Sequence, residues 1–194
     1  MNLRMLPLLI GAIVGAAAIW LAFETGDSRT HDWQLAASWT ARVGFPIFLI
    51  TYSASSVYRV FPGAVTRAIL RNRRYWGLGF AVTHSIHLYA LITYLRVSAT
   101  EVDTPTLIGG GFAYAMLYAM ALTSNNWAMM RLDRNWKRLH RIGIHSLWAV
   151  FIFTYFGRAL SADHQIEGRI ALALAFTALA LRLMPRRRMN HARS

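Results

Sequence analysis

Histidine is the side chain with which this chain can do metal or redox chemistry. It has seven histidines and no cysteine. Disulfides, thiolate-held metals, iron–sulfur clusters and Cys nucleophiles are therefore excluded. Any ligand must come from His, Met, Tyr or carboxylate, and Asp and Glu together number only 8 in 194 residues. His31 and His164 fall between apolar runs, and His191 lies in the tail. The other four sit in two apolar runs, His84 and His87 in one, His140 and His145 in another. Ionisable groups inside a membrane are costly and mark function by default. The bland alternative is that each is a core histidine bonded to a neighbouring helix.

Helical spacing narrows the chemistry. His84 and His87, three apart, lie within ~60° on one face and ~4.5 Å apart in height. At most one of them would serve one haem iron, leaving the other to hydrogen-bond. The other use of His-x-x-His is to share one small metal ion. His140 and His145, five apart, are turned ~140° from each other and cannot both face one pocket. Imidazole suits iron, copper and zinc. An apolar cavity between helices, with one His from each side, suits haem b best, because the macrocycle itself wants burial.

The elements that must carry these residues are membrane helices. The chain is 56% hydrophobic and 15% charged, with a mean hydropathy of +0.34. An ordinary soluble domain is about 25% charged. Charge-poor runs at about Met5–Phe23, Ala36–Tyr58, Tyr75–Leu95, Pro105–Asn126, Leu139–Gly157 and Ile166–Met184 are each near the ~20 residues a crossing needs. The expectation is one all-α domain over residues 1–194, a six-transmembrane-helix bundle. Its first run read as a cleaved signal would leave an odd helix count with the same charge pattern.

The 21 Lys and Arg against 8 acids give +13. They fall between the runs, so they describe topology and no nucleic-acid partner. Arg59, Arg67, Arg71, Arg73 and Arg74 follow the second run. Arg131, Arg134, Lys137, Arg138 and Arg141 follow the fourth, and Arg186–Arg188 and Arg193 the sixth. The intervening loops are acidic or balanced. Basic residues accumulate on the cytoplasmic side, so both termini are expected there, in a multi-pass protein of the bacterial inner membrane type.

The stretch Arg73-Arg74-Tyr75-Trp76-Gly77-Leu78-Gly79-Phe80, followed by His87, resembles the third helix of the ferric-reductase-like transmembrane domain family. Thr123-Ser124-Asn125 and Trp136-Lys137-Arg138-Leu139-His140-Arg141 resemble its approach to the fifth. The likeness covers about residues 35–157. Within that family the pattern is most like the haem-binding membrane subunits of periplasmic methionine-sulfoxide reductase systems. The resemblance implies an oxidoreductase subunit that holds haem b between the third and fifth helices, with His87 and His140 as ligands. It also implies a second fifth-helix His thirteen residues on, where this chain has Phe153.

Depth offers a different pair. His140 lies at the inner boundary, whereas His87 is ~20 Å beyond Arg74. His145 is ~7.5 Å deeper than His140, so depth pairs His145 with His84 or His87. Two axial imidazoles would leave no open position on the iron and favour outer-sphere electron transfer. Arg42 is either a propionate partner or a snorkelling cation. The arginines at the inner mouth are either a lipid collar or a contact for a flavin phosphate. Electrons would enter from a cytoplasmic-side FMN or quinone. They would leave to a separate redox partner protein or small acceptor outside. The rivals are a six-helix transporter, assembly factor or sensor without haem, and a small-metal permease using His84 and His87.

Overall fold

The computed structural model describes residues 5–185. His191 and the basic tail from Arg186 lie outside them. Among the described residues the regular structure is helical throughout. Eight α-helices follow in order: α1 (Leu6–Thr25), α2 (Arg29–Val60), α3 (Ala64–Arg71), α4 (Arg73–Ser98), α5 (Thr104–Leu122), α6 (Asn126–Leu132), α7 (Arg134–Leu160) and α8 (Gln165–Leu183). Six of these are long and correspond to the six apolar runs.

Side chains that compete for backbone groups set several boundaries. Ser28 accepts from the His31 amide at 3.3 Å and opens α2. Asp103 accepts from the Thr106 amide at 3.2 Å and opens α5, with Pro105 in its first turn. Asn125 accepts from the Ala128 amide at 2.7 Å and opens α6.

Two expectations need correction. α2 begins well before Ala36, because the Ser28 cap recruits the polar segment Arg29–Leu35 into the helix. The basic connections are not plain loops either: α3 and α6 form within them, and both expose apolar side chains, Val65 on α3 and Trp127 and Met130 on α6.

Apolar composition separates the long helices further. Three of them, α1, α4 and α5, are long and apolar enough to cross a membrane, against the six expected. α2 and α7 dilute their apolar content with Ser, Thr, Tyr and His. α8 carries Glu167, Arg169 and Arg182 within nineteen residues.

α2 is the central element, packed against α1, α4 and α8, while α7 packs on α5 and α8. The main core is aromatic, with Phe45, Phe48 and Tyr52 of α2 against Phe80 of α4 and Phe151 and Tyr155 of α7. α1 and α4 meet through small residues. Gly11 and Gly79 leave no room for a Cβ between the two backbones, and Thr83 Oγ1 donates to the Gly11 carbonyl at 2.8 Å. Helices in lipid gain little from hydrophobic exclusion, so close backbone approach and such hydrogen bonds are what hold them together.

Candidate functional site

Two cavities lie along the bundle, and Leu117 and Leu147 line both. The smaller, about 190 Å³, is walled by α2, α4, α5 and α7. Its polar groups are few: His84 and His87 from α4, Tyr114 from α5, Thr154, Tyr155 and Arg158 from α7, and Arg42 from α2. Gly110 also lines it and has open space where a side chain would stand.

His87 is held by its Nδ1. That nitrogen lies 3.0 Å from the Ala37 carbonyl and 3.2 Å from Thr40 Oγ1. A carbonyl only accepts, so Nδ1 carries the proton and donates to Ala37. Nε2 then keeps its lone pair and is free to ligate a metal, the tautomer that a metal-binding His requires. Thr40 is fully buried, and its hydroxyl in turn donates to the Ala36 carbonyl at 2.6 Å.

His84 is packed differently. Its ring rests on Gly44, where an added Cβ would lie 2.6 Å from Nδ1. It stacks near Phe80 (4.2 Å between centroids) and Phe151 (5.5 Å). Its Nδ1 is buried with no hydrogen-bond partner. An orphaned buried polar atom is rare in a packed core, and this one is pressed against the α2 backbone at Gly44.

Arg42 is neither free nor snorkelling. It grips Glu167 with two parallel bonds of 2.8 and 2.9 Å. Arg158 donates to the same carboxylate at 3.1 and 3.2 Å. Glu167 sits in the first turn of α8. Thr40, Arg158, Tyr155 and Glu167 are thus site residues that sequence reasoning missed. No local spacing pairs Arg42 with a residue 125 positions away.

The larger cavity, about 490 Å³, opens at the basic end. Arg73, Arg74, Lys137, Arg141 and Arg182 line it together with His140, Trp136 and Asn126. His140 Nε2 lies 3.2 Å from Thr123 Oγ1, and its ring stacks on Trp136. Trp136 Nε1 donates to the Thr123 carbonyl at 2.9 Å. The Trp–Lys–Arg–Leu–His run therefore folds back on the Thr–Ser segment. Arg74 also reaches Asn126 Oδ1 at 3.1 Å.

The structure brings His84, His87 and Arg42 together and leaves His140 and His145 elsewhere. His145 does not reach the cavity that depth assigned to it. Relative to Leu147, which lines that cavity, it is turned ~160° around α7. Its Nδ1 meets the Tyr52 hydroxyl at 3.3 Å. His140 shares the face of Leu147 but stands ~10.5 Å further toward the basic end. Phe153 is 83% exposed and points away from the bundle. A small-metal site at His84 and His87 gains no support, since no group of three or more His, Asp or Glu suited to a metal exists among the described residues.

The lining is of the kind a haem uses, with histidines in a mostly apolar wall, but the space is not. About 190 Å³ is below the ~300 Å³ at which pockets begin to enclose drug-sized ligands, and both rim guanidiniums are bonded to Glu167.

No family model and no solved structure matches the chain. Curated proteins do match. The protein-methionine-sulfoxide reductase heme-binding subunits MsrQ of Salmonella paratyphi B, Salmonella newport and Salmonella heidelberg are each 31% identical to it. Each match covers 84% of this chain and 84% of the relative. The likeness to methionine-sulfoxide reductase haem subunits therefore rests on whole-chain similarity. The wider ferric-reductase-like resemblance has no family model behind it.

Proposed function

Since the chain belongs to the MsrQ family of haem-binding subunits, we propose that it is a haem-b membrane electron-transfer subunit. It takes electrons from a flavin or quinol donor at its basic end and delivers them to a separate redox partner protein or small acceptor on the opposite side. Haem b, when bound, supplies reversible one-electron chemistry inside the bilayer. The observation that carries this reading is His87, whose Nδ1–H is fixed on the Ala37 carbonyl, leaving Nε2 with its lone pair, on the wall of a mostly apolar cavity.

Each residue has a task in this proposal. His87 holds the iron, and Thr40 and Ala37 hold His87 in one tautomer. Arg42 and Arg158 hold Glu167 and pin α2, α7 and α8 together beside the cavity. Leu91, Ala113, Leu117, Leu147 and Val150 keep water out. The basic cavity attracts an anionic donor through Arg73, Arg74, Lys137 and Arg141, because a cleft of one sign concentrates its counter-charge. FMN or a quinone is the donor group that suits it, with Trp136 and His140 as a stacked ring pair beside it.

The topology in this proposal is six crossings by α1, α2, α4, α5, α7 and α8 of a bacterial inner membrane. The cationic end, with both termini, is cytoplasmic. α3 and α6 lie in the cytoplasmic interface, their apolar side chains toward lipid. The decisive experiment is the haem content of the detergent-purified protein beside His87→Ala. Pigment with a sharp reduced α-band in the parent, and its loss in the variant, supports the proposal. A colourless, iron-free parent overturns it.

A further inference from the structure

We infer that the larger cavity, at the basic end, seats the phosphate of one anionic phospholipid. The inference rests on the membrane topology proposed above and is independent of the haem reading.

The two ends of the bundle treat arginine differently. Arg42 and Arg158 share Glu167, so the molecule supplies its own counter-charge there. Around the larger cavity stand Arg73, Arg74, Lys137, Arg141 and Arg182, and among the described residues no Asp or Glu lines it. Neutral groups hold three of these cations. Arg73 donates to Ser55 Oγ at 2.9 Å, Arg74 to Asn126 Oδ1 at 3.1 Å, and Arg182 to the Tyr52 carbonyl at 2.7 Å. Arg182 also lies over the Tyr52 ring, 4.6 Å from its centroid. Such a bond occupies part of a guanidinium's N–H fork and cancels none of its charge. The side chains are positioned and not neutralised. Like charges gathered around one space repel, and an anion from outside relieves that cost.

Phosphate is the anion this donor set suits. Guanidiniums take it through paired N–H groups, and lysine serves it as a point charge. The rest of the wall specifies what carries the phosphate. Phe80 lies six positions beyond Arg74 on α4, and Leu147 six beyond Arg141 on α7. Both helices thus place a buried apolar side chain ~9 Å inward of a cation. Leu117 and Ile144 complete that apolar floor. Met129 lines the cavity and is itself exposed, as is Met130 beside it, which gives an acyl chain an apolar way out to the bilayer. A volume of about 490 Å³ holds a headgroup and the first carbons of its chains, not a whole lipid. Basic pockets between helices on the cytoplasmic side are where anionic headgroups bind. An anionic electron donor meets the same cations, so lipid and donor compete for them.

The test strips the detergent-purified full chain of lipid and titrates it with phosphatidylglycerol or phosphatidylcholine, counting bound lipids by native mass spectrometry. One phosphatidylglycerol is expected to bind at least about tenfold tighter than phosphatidylcholine. A cation near a headgroup is worth about fivefold in affinity, so Lys137→Gln with Arg141→Gln should weaken that site by about 25-fold. Arg67→Gln with Arg71→Gln removes the same charge from α3, outside the cavity, and should change it by under about twofold. Equal losses in the two pairs describe a diffuse cationic collar and overturn the inference. So does a parent that binds the two lipids alike, a result that depends on no variant. Glycerol 1-phosphate, which has no acyl chains, is added as competitor. Displacement of phosphatidylglycerol at equal concentration assigns the cavity to free phosphate and overturns the lipid assignment. Every readout is independent of pigment, so the haem reading stands or falls separately. A chain that stays in solution without detergent removes the topology, and this inference with it.

Discussion

His87 and Ala37 are joined by a 3.0 Å hydrogen bond between a ring nitrogen on α4 and a backbone carbonyl on α2. The bond crosses 50 positions of sequence and fixes which nitrogen of His87 carries the proton. Thr40 stands beside it at 3.2 Å. Thr40→Val removes the hydroxyl and leaves the carbonyl in place. Groups that orient a metal-bound His typically change affinity ~10–100-fold when lost. With the carbonyl retained, Thr40→Val is expected to weaken haem retention by under about tenfold, whereas His87→Ala abolishes it. Competitive haem transfer to an apo-haem scavenger measures both.

Gly44 and His84 form a second pair. A methyl at position 44 collides with the His84 ring, and overpacking of this kind costs about 1–3 kcal/mol. Gly44→Ala should lower the thermal midpoint in detergent. Gly44→Ala with His84→Ala should lower it less than the sum of the single changes, because the clash has gone. Strict additivity would show that the two residues do not meet.

Glu167 is gripped by two arginines and is about one-third exposed. Ion pairs at the surface are worth ~0–1 kcal/mol, and breaking a buried one costs ~3–5 kcal/mol. Glu167→Gln is expected to fall between these, at about 1–3 kcal/mol of unfolding free energy. Arg158→Gln should cost less than Arg42→Gln, because Arg42 makes the two shorter, parallel bonds. Denaturant titration of the three variants gives the order directly.

The basic cavity makes a kinetic prediction. Lys137→Gln together with Arg141→Gln removes two of its cations. Reduction of the protein by an anionic flavin donor should slow and lose much of its dependence on ionic strength. Reduction by a neutral, membrane-soluble hydroquinone should change little. Stopped-flow traces at low and high salt separate the two donors.

Asp103 caps α5, and hydrogen bonds from the Thr106 hydroxyl and then its amide hold the carboxyl below the ordinary 3.8. The ionised cap therefore stabilises α5 at any pH above 3.8 and loses its effect as pH falls through the lower, folded value. Asp103→Ala should melt earlier than the parent above that pH, with the gap closing in acid. Asp103→Asn, a good neutral cap, should show a smaller gap with little pH dependence. Circular dichroism melts across the acid range check the sign.

Part of this architecture could be read from the residues, and part could not. The positions of the six long helices follow from charge-poor runs, because lipid or a packed core tolerates few ions. The short α3 and α6 escaped notice because seven or eight residues among arginines are too few to stand out from a basic connection. His84 and His87 share a cavity because three residues along one helix decide that locally. The failure of His145 to join them depends on how α7 is rotated in the bundle, and that is set by Gly143, Leu147, Phe151 and Tyr155 packing inward together. The triad of Arg42, Arg158 and Glu167 arises where the end of α7 and the start of α8 meet the flank of α2. No single stretch of sequence contains it.

Gly109, Gly110 and Gly111 follow one another on α5 with no atoms near where their side chains would be. Larger apolar side chains at these three positions would extend into free space, so this stretch of α5 tolerates bulk that Gly11, Gly44 or Gly79 could not accept.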